Sequence, residues 1–189
     1  MKHIIVAATL ASTFMLTSVA NAATGVINFA GTLSTVTCTA LPGAGSGTAP
    51  DFNINFGTVA FADLNDSSST SHGAAKYINI IVDCTNAAGL TTVKAAFDPA
   101  AGSGIDAGDA RLLSLASGTL ARGAGIGILD DTGRVINLSG NDTVETPLVP
   151  GEAGAATALI TTRAAYVLNG QTPVPGPNTA QLPFTLTFE

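Results

Sequence analysis

Tryptophan is missing from this 189-residue sequence and tyrosine occurs only twice. A flat aromatic platform for stacking sugars or single-stranded bases is therefore disfavoured. Charge is scarce as well: Asp, Glu, Lys and Arg together make up 11%, against roughly 25% in an ordinary soluble domain. That excludes a disordered tail and a coiled coil, both of which need far more charge. Seven basic residues against thirteen acidic ones leave a net charge of −6 with no basic cluster. No nucleic acid is expected as a partner, because affinity for a phosphate backbone rests on Lys and Arg displacing counterions. The length suits one hydrophobic core and is short for two cored domains joined by a linker.

Long apolar runs are also lacking. The longest stands at the start, where Met1-Lys2-His3 is followed by thirteen residues from Ile4 to Leu16 broken only by small hydroxyls, and then by Ala20-Asn21-Ala22. A membrane span needs about 20 apolar residues. A short basic start, a short apolar stretch and a small-x-small site read instead as a secretory signal peptide over residues 1–22, and no membrane span is expected in the mature chain. Only two cysteines follow, Cys38 and Cys84. Export places them where thiols oxidise, so one intramolecular disulfide is expected. Closing a loop of that length stabilises a fold by about 4 kcal/mol on the chain-entropy model. There is neither a C-x-x-C for redox work nor a His or Cys at zinc-ligand spacing.

What the sequence does have is apolar residues at 46%, 21 glycines and 9 prolines, in a pattern of period two. Ile78, Ile80, Val82 and Cys84 alternate with Tyr77, Asn79, Ile81 and Asp83, so one side of this segment can enter a core. Further strands are predicted over residues 53–61, 91–97, 111–115, 124–129, 134–138 and 158–168, each bounded by Gly, Pro, Asn, Asp or Ser. Between them run glycine-rich loops at 42–50, 65–73, 99–109, 140–154 and 170–179, and a short helical turn fits within 105–115. Short strands in this arrangement mean an all-β sandwich or barrel.

Several motifs of catalytic appearance have plainer readings. Asp131-Thr132-Gly133 is the tripeptide of aspartic proteases, in which two carboxylates share a proton, yet between two strands it is ordinary hairpin chemistry. Gly123, Gly125 and Gly127 are spaced for a crowded strand rather than for the G-x-G-x-x-G of a dinucleotide site. His72 sits among hydroxyls in a loop with no orienting acid marked for a triad. The aspartates are scattered over loops as turn formers, without the ladder of a calcium loop. No catalytic residue, metal or cofactor is expected.

The two ends share a grammar. Leu182, Phe184, Leu186 and Phe188 alternate with Gln181, Pro183, Thr185 and Thr187. Near the expected cleavage site Gly25, Ile27, Phe29, Gly31 and Leu33 alternate with Val26, Asn28, Ala30 and Thr32. Leaving Ile27 and Phe29 in water costs roughly 1.5 to 3 kcal/mol for each side chain. Either residues 25–40 form one long first strand in their own domain, or residues 23–31 project and pair with a sheet edge of another molecule.

With Cys38 shortly after Gly25-x-Ile27-x-Phe29-x-Gly31, Cys84 closing an alternating strand, and a last strand ending aromatic-x, the chain resembles the pilins of chaperone–usher fimbriae. Gly176, fourteenth from the C-terminus, matches the family's glycine there, and Phe188 its penultimate aromatic. Residues 125–133 are similar to its mid-chain strand and turn, and Arg163 to Tyr166 to its penultimate strand. The ordered set covers the whole mature chain and is most similar to major shaft subunits of the type 1 kind.

The resemblance implies an incomplete immunoglobulin-like β-sandwich that lacks its seventh strand. It divides the chain into signal peptide 1–22, donor-strand extension 23–31 and pilin domain 32–189. Gly25, Ile27, Phe29 and Gly31 would be the donor positions, and Leu182, Phe184, Leu186 and Phe188 would line the acceptor groove. The implied partners are a periplasmic chaperone, an outer-membrane usher and neighbouring subunits in a head-to-tail homopolymer, carried through the periplasm to a fimbrium on the cell surface that supports adhesion. Alternatives are a minor pilin of the same fibre, a self-sufficient secreted β-sandwich that binds a ligand through its loops, and an acid protease dimer, in that order.

Overall fold

The computed structural model describes residues 37–43 and 51–189. The boundaries expected at residues 22 and 31, and the donor positions Gly25, Ile27, Phe29 and Gly31, lie outside them. Among these residues there are eight strands: β1 (Thr37–Pro42), β2 (Lys76–Thr85), β3 (Thr92–Phe97), β4 (Ala124–Leu129), β5 (Thr143–Pro147), β6 (Val149–Pro150), β7 (Ala156–Leu168) and β8 (Phe184–Phe188). Only single turns of 3₁₀ helix interrupt them. Two antiparallel sheets result, one ordered β1-β2-β7-β4 with β6 appended to β7, the other β5-β3-β8. The architecture is an all-β, immunoglobulin-like sandwich.

The expected alternation in β2 is realised. Ile80, Val82 and Cys84 are buried while Tyr77, Ile81 and Asp83 face out. Opposite them on β7, Ala156, Ala158 and Ile160 are buried too, in a register that pairs Ile80 with Ile160 and Cys84 with Ala156. These pack against Val93 and Ala95 of β3 as the principal core. Cys38 and Cys84 face each other across β1 and β2 and form the disulfide.

At the other end of the first sheet both faces are covered. Ile126, Ile128 and Ala164 point into the sandwich, whereas Leu129, Ala165 and Val167 point outward and are roofed by Leu112 and Val135. This explains why β4 is buried at all six positions, and why it carries glycine at alternate ones. A Cβ on Gly125 would stand 2.9 Å from that of Leu112, and one on Gly127 2.9 Å from Cγ2 of Val167.

Four expectations are corrected. Among the described residues, 54–61 form no strand of either sheet, although Phe52, Ile54 and Phe56 do turn inward; an extended segment laid along an apolar wall has the same period of two as a paired strand. Residues 111–115 and 134–138 make only isolated bridges, Leu113 to Ile126 and Val135 to Leu129, because these segments serve as the roof over β4. The 140–154 loop contains β5 and β6, whose Pro and Glu residues hide edge strands. Within 105–115 the chain makes turns, with Leu112 N–H donating to the Asp109 carbonyl at 3.0 Å, and no helix.

Candidate functional site

The feature that sets this sandwich apart lies along β8. Phe184 to Phe188 pair with Phe97 to Val93 of β3, and among the described residues the opposite edge of β8 has no strand beside it. The segment before it is tied down: Ala116 N–H donates to the Thr179 carbonyl at 2.8 Å, Ser103 N–H to that of Gln181 at 2.9 Å, and Asp98 N–H to that of Pro183 at 2.8 Å. A segment held by β3 and the 98–116 region thus presents an edge of N–H and C=O groups that no other described strand pairs, a template for another strand.

Beside that edge the two sheets part over a trough of about 2060 Å³. One wall is Leu182, Phe184 and Leu186; the other is built from the first sheet, with Ile78, Ile80, Ile126 and Ile128. Phe52 closes edge-on against Phe184, ring centroids 5.6 Å apart, and Phe56 lies 4.6 Å from Tyr166. The Tyr166 hydroxyl donates to Oδ1 of Asn178 at 2.6 Å, which turns the polar tip of the ring away from the apolar wall. Three of the four expected acceptor residues therefore share one wall. The fourth, Phe188, packs half-buried on the principal core opposite Val93 rather than on the trough wall.

Gly176 lies at the edge of the same trough, where the 172–177 segment crosses residues 120–122. Arg122 and Val174 exchange both main-chain hydrogen bonds at 3.0 Å, and a Cβ on Gly176 would stand 2.7 Å from that of Leu120. Residues 52–56 are the trough lining that strand reasoning mistook for a sheet element. Their alternation was visible, but which surface they covered was not.

The discarded motifs resolve as turns. Asp130 Oδ1 accepts from the Thr132 and Arg134 N–H groups at 3.0 and 2.9 Å, and Gly133 N–H closes the turn onto the Asp130 carbonyl at 3.1 Å. Burial raises the Asp130 pKa, but its hydrogen bonds from Thr132 and Arg134 outweigh that and hold it below the ordinary value. His72 is half-buried rather than solvated, its Nε2 3.0 Å from the Ser69 carbonyl. Its Nδ1 has no partner among the described residues.

A polar knot pins the loop after residue 65 to the 105–112 roof. Arg111 grips Asp109 with Nε to Oδ1 at 3.0 Å and Nη2 to Oδ2 at 2.9 Å, and Ser67 Oγ is bonded to both side chains. Burial pushes the Asp109 carboxyl up, yet the donors from Arg111 and Ser67 carry it down to about 2 from an ordinary 3.8. A carboxyl depressed by folding contributes stability in full above its unfolded pKa and loses it as pH falls through its folded one. The unfolding midpoint is therefore expected to hold from neutrality to about pH 4 and to drop between there and about pH 2. Asp109→Asn flattens that acid limb in a thermal titration; an unchanged limb would show that the knot contributes nothing.

A β-sandwich whose β8 edge, among the described residues, lies unpaired beside an open apolar trough fits the class of domains that bind an extended chain by strand addition. The Fimbrial protein family matches residues 27–189, and the chain belongs to it: this is a fimbrial pilin, a non-enzymatic structural subunit that assembles with other pilin subunits in an extracellular fimbrium.

Among solved structures, the chain is similar to the CupB6 tip adhesin of Pseudomonas aeruginosa, at 22% identity over 71% of this chain with TM-score 0.47; it spans only 35% of the length of that adhesin. It is also similar to the antigen and type I fimbria protein BPSL1626 of Burkholderia pseudomallei, at 21% identity over 81% of this chain and 98% of that one, TM-score 0.47. A third similar structure is the P pilus rod subunit PapA, at 19% identity over 86% and 99%, TM-score 0.42. No curated protein sequence matches the chain. No helix among the described residues is long and apolar enough to cross a membrane, and no cluster of His, Cys, Asp or Glu among them is placed to hold a metal ion.

Proposed function

We propose that the trough beside β8 is an acceptor for a β-strand donated by a neighbouring subunit, and that the chain is the repeating shaft subunit of its fimbria. The observation that carries this reading is that, among the described residues, the outer edge of β8 has no strand beside it and borders a trough of about 2060 Å³ with apolar walls. Residues 23–31 are the donor, with Ile27 and Phe29 filling the trough of the next subunit and Gly25 and Gly31 accepted where it is shallow. After removal of residues 1–22 the subunit passes through the periplasm, where a chaperone strand occupies the trough until an outer-membrane usher exchanges it for the incoming extension. Each subunit donates to one neighbour and accepts from another. Such a heterologous contact does not close, and it builds a filament, which in turn supports cell adhesion.

The test is a chain with a copy of residues 23–33 appended after Glu189 through a flexible linker. The appended strand is expected to fill the trough in cis, raising the thermal unfolding midpoint and stopping polymerisation. An unaltered midpoint would leave the trough without this occupant.

A further inference from the structure

Where β7 ends, the chain carries the one asparagine that a glycine follows, Asn169-Gly170. In an unfolded chain that pair modifies itself most readily, because with no side chain on the second residue its main-chain nitrogen reaches the asparagine carboxamide freely. Neither residue can be exchanged freely here. Gly170 turns the chain at φ +80°, a conformation that favours glycine, while Asn169, only 6% exposed, closes a clasp on Asp106, itself only 8% exposed. Asn169 Nδ2 donates to both carboxylate oxygens of Asp106 at 3.0 Å, and its Oδ1 accepts from the Gln171 N–H at 3.1 Å. Asp106 Oδ1 also accepts from the N–H groups of Gly108 and Asp109 at 2.8 and 3.2 Å. The clasp thus ties the end of β7 to the turn that begins the 105–112 roof. The approach is close, since a Cβ on Gly108 would stand 2.3 Å from the Asn169 carbonyl oxygen.

We propose that Asn169 is a latent self-modification site, silenced when folding closes the clasp with Asp106, so that only chains slow to fold are altered there. In the open chain the Gly170 nitrogen gives its proton to hydroxide and bonds to Asn169 Cγ; the Cγ–Nδ2 bond breaks, and Nδ2 takes a proton from water and leaves as ammonia. Water then opens the succinimide at either carbonyl and leaves aspartate or isoaspartate at 169. Nothing is oxidised or reduced. In the folded chain Nδ2 is held by a carboxylate that has no proton to give a departing amine, Oδ1 is fixed on the Gln171 N–H, and burial keeps away the water that must exchange protons. The product cannot rebuild the clasp. A carboxylate at 169 would meet that of Asp106 at hydrogen-bond distance, where two like charges strongly disfavour one another, and isoaspartate lengthens the main chain by a methylene. Chemical change of the unfolded chain therefore competes with folding, and a chain once altered no longer closes its roof.

The full chain with its disulfide intact, incubated at neutral pH both folded and in concentrated urea, tests the reaction. Trypsin releases residues 164–189 as one peptide, in which Asn178, followed by threonine, serves as an internal reference. Mass spectrometry of that peptide is expected to find amide replaced by acid at 169 severalfold faster in urea than in the folded chain, and faster than at 178. Equal rates at 169 in the two states, or no conversion in urea, would overturn the latent site. Two variants read the clasp itself. Asn169→Asp is expected to lower the thermal unfolding midpoint or to prevent folding, and Asp106→Asn added to it, which returns one carboxylate and one carboxamide to the pair, is expected to restore a midpoint close to that of the parent. A parent-like midpoint for Asn169→Asp alone, or no recovery in the exchanged pair, would overturn the claim that the altered chain is excluded from the fold.

Discussion

Replacing Ile27 or Phe29 by Asp is expected to abolish fibres altogether while leaving the folded subunit recoverable in soluble form with its chaperone. Each large side chain contributes roughly 1.5 to 3 kcal/mol when it leaves water. The trough that would receive it is lined with Ile80, Ile126, Leu182 and Phe184 and offers a carboxylate no counter-charge. An unpaired charge in such a site adds a desolvation penalty of several kcal/mol to the lost burial. In the proposed exchange two occupants would compete for one trough, so a donor weakened by this much is expected to lose to the chaperone. Electron microscopy of sheared surface material provides the measurement, and fibres of wild-type length in either variant would exclude residues 27 and 29 as donors.

Loss of the Cys38–Cys84 disulfide is expected to have the next largest effect. The bond joins β1 to β2 across a sequence separation of 46 residues, and opening a loop of that size costs about 4 kcal/mol in unfolded-chain entropy. For a domain of this size that lowers the unfolding midpoint by about 10 °C. The loss falls where the sandwich can least bear it. Among the described residues β1 is an edge strand paired with β2 alone, and the trough already leaves part of the core open. The Cys38→Ser, Cys84→Ser double variant, compared with the parent by calorimetry, measures the difference; a shift of only a degree or two would mean that β1 is held by its hydrogen bonds alone. The double variant is the informative one, since a single substitution would leave a reactive thiol during export.

The strands with one buried face were legible before the structure was known. β2, β3, β7 and β8 each announce themselves by alternation, and a chain with two cysteines in an exported context has one economical pairing. Period two was also present in residues 53–61, which form no strand among the described residues, because alternation reports an apolar surface on one side of an extended segment and not whether that segment is built into a sheet. β5 was missed for the opposite reason. Thr143-Val144-Glu145-Thr146-Pro147 has only one half-buried apolar side chain, and it pairs as an edge strand whose outer residues face solvent. The roof over β4 was invisible as a roof. Nothing local distinguishes Leu112 or Val135 packed on an outer sheet face from the same residues packed in a central core.

By itself the sequence determined that this is an all-β chain whose residues 182–188 have one apolar face, since both properties follow from local composition and from side chains that alternate along an extended backbone. Only the tertiary structure decided that, among the described residues, β8 is paired on one side alone, that the two sheets part beside it into a trough, that Phe188 packs on the principal core, and that Leu41, Ile81 and Leu159 fall in one row. Pairing and register are relations between segments distant in the chain. They are set by how apolar faces from all the strands can be covered together, and no single segment carries that information.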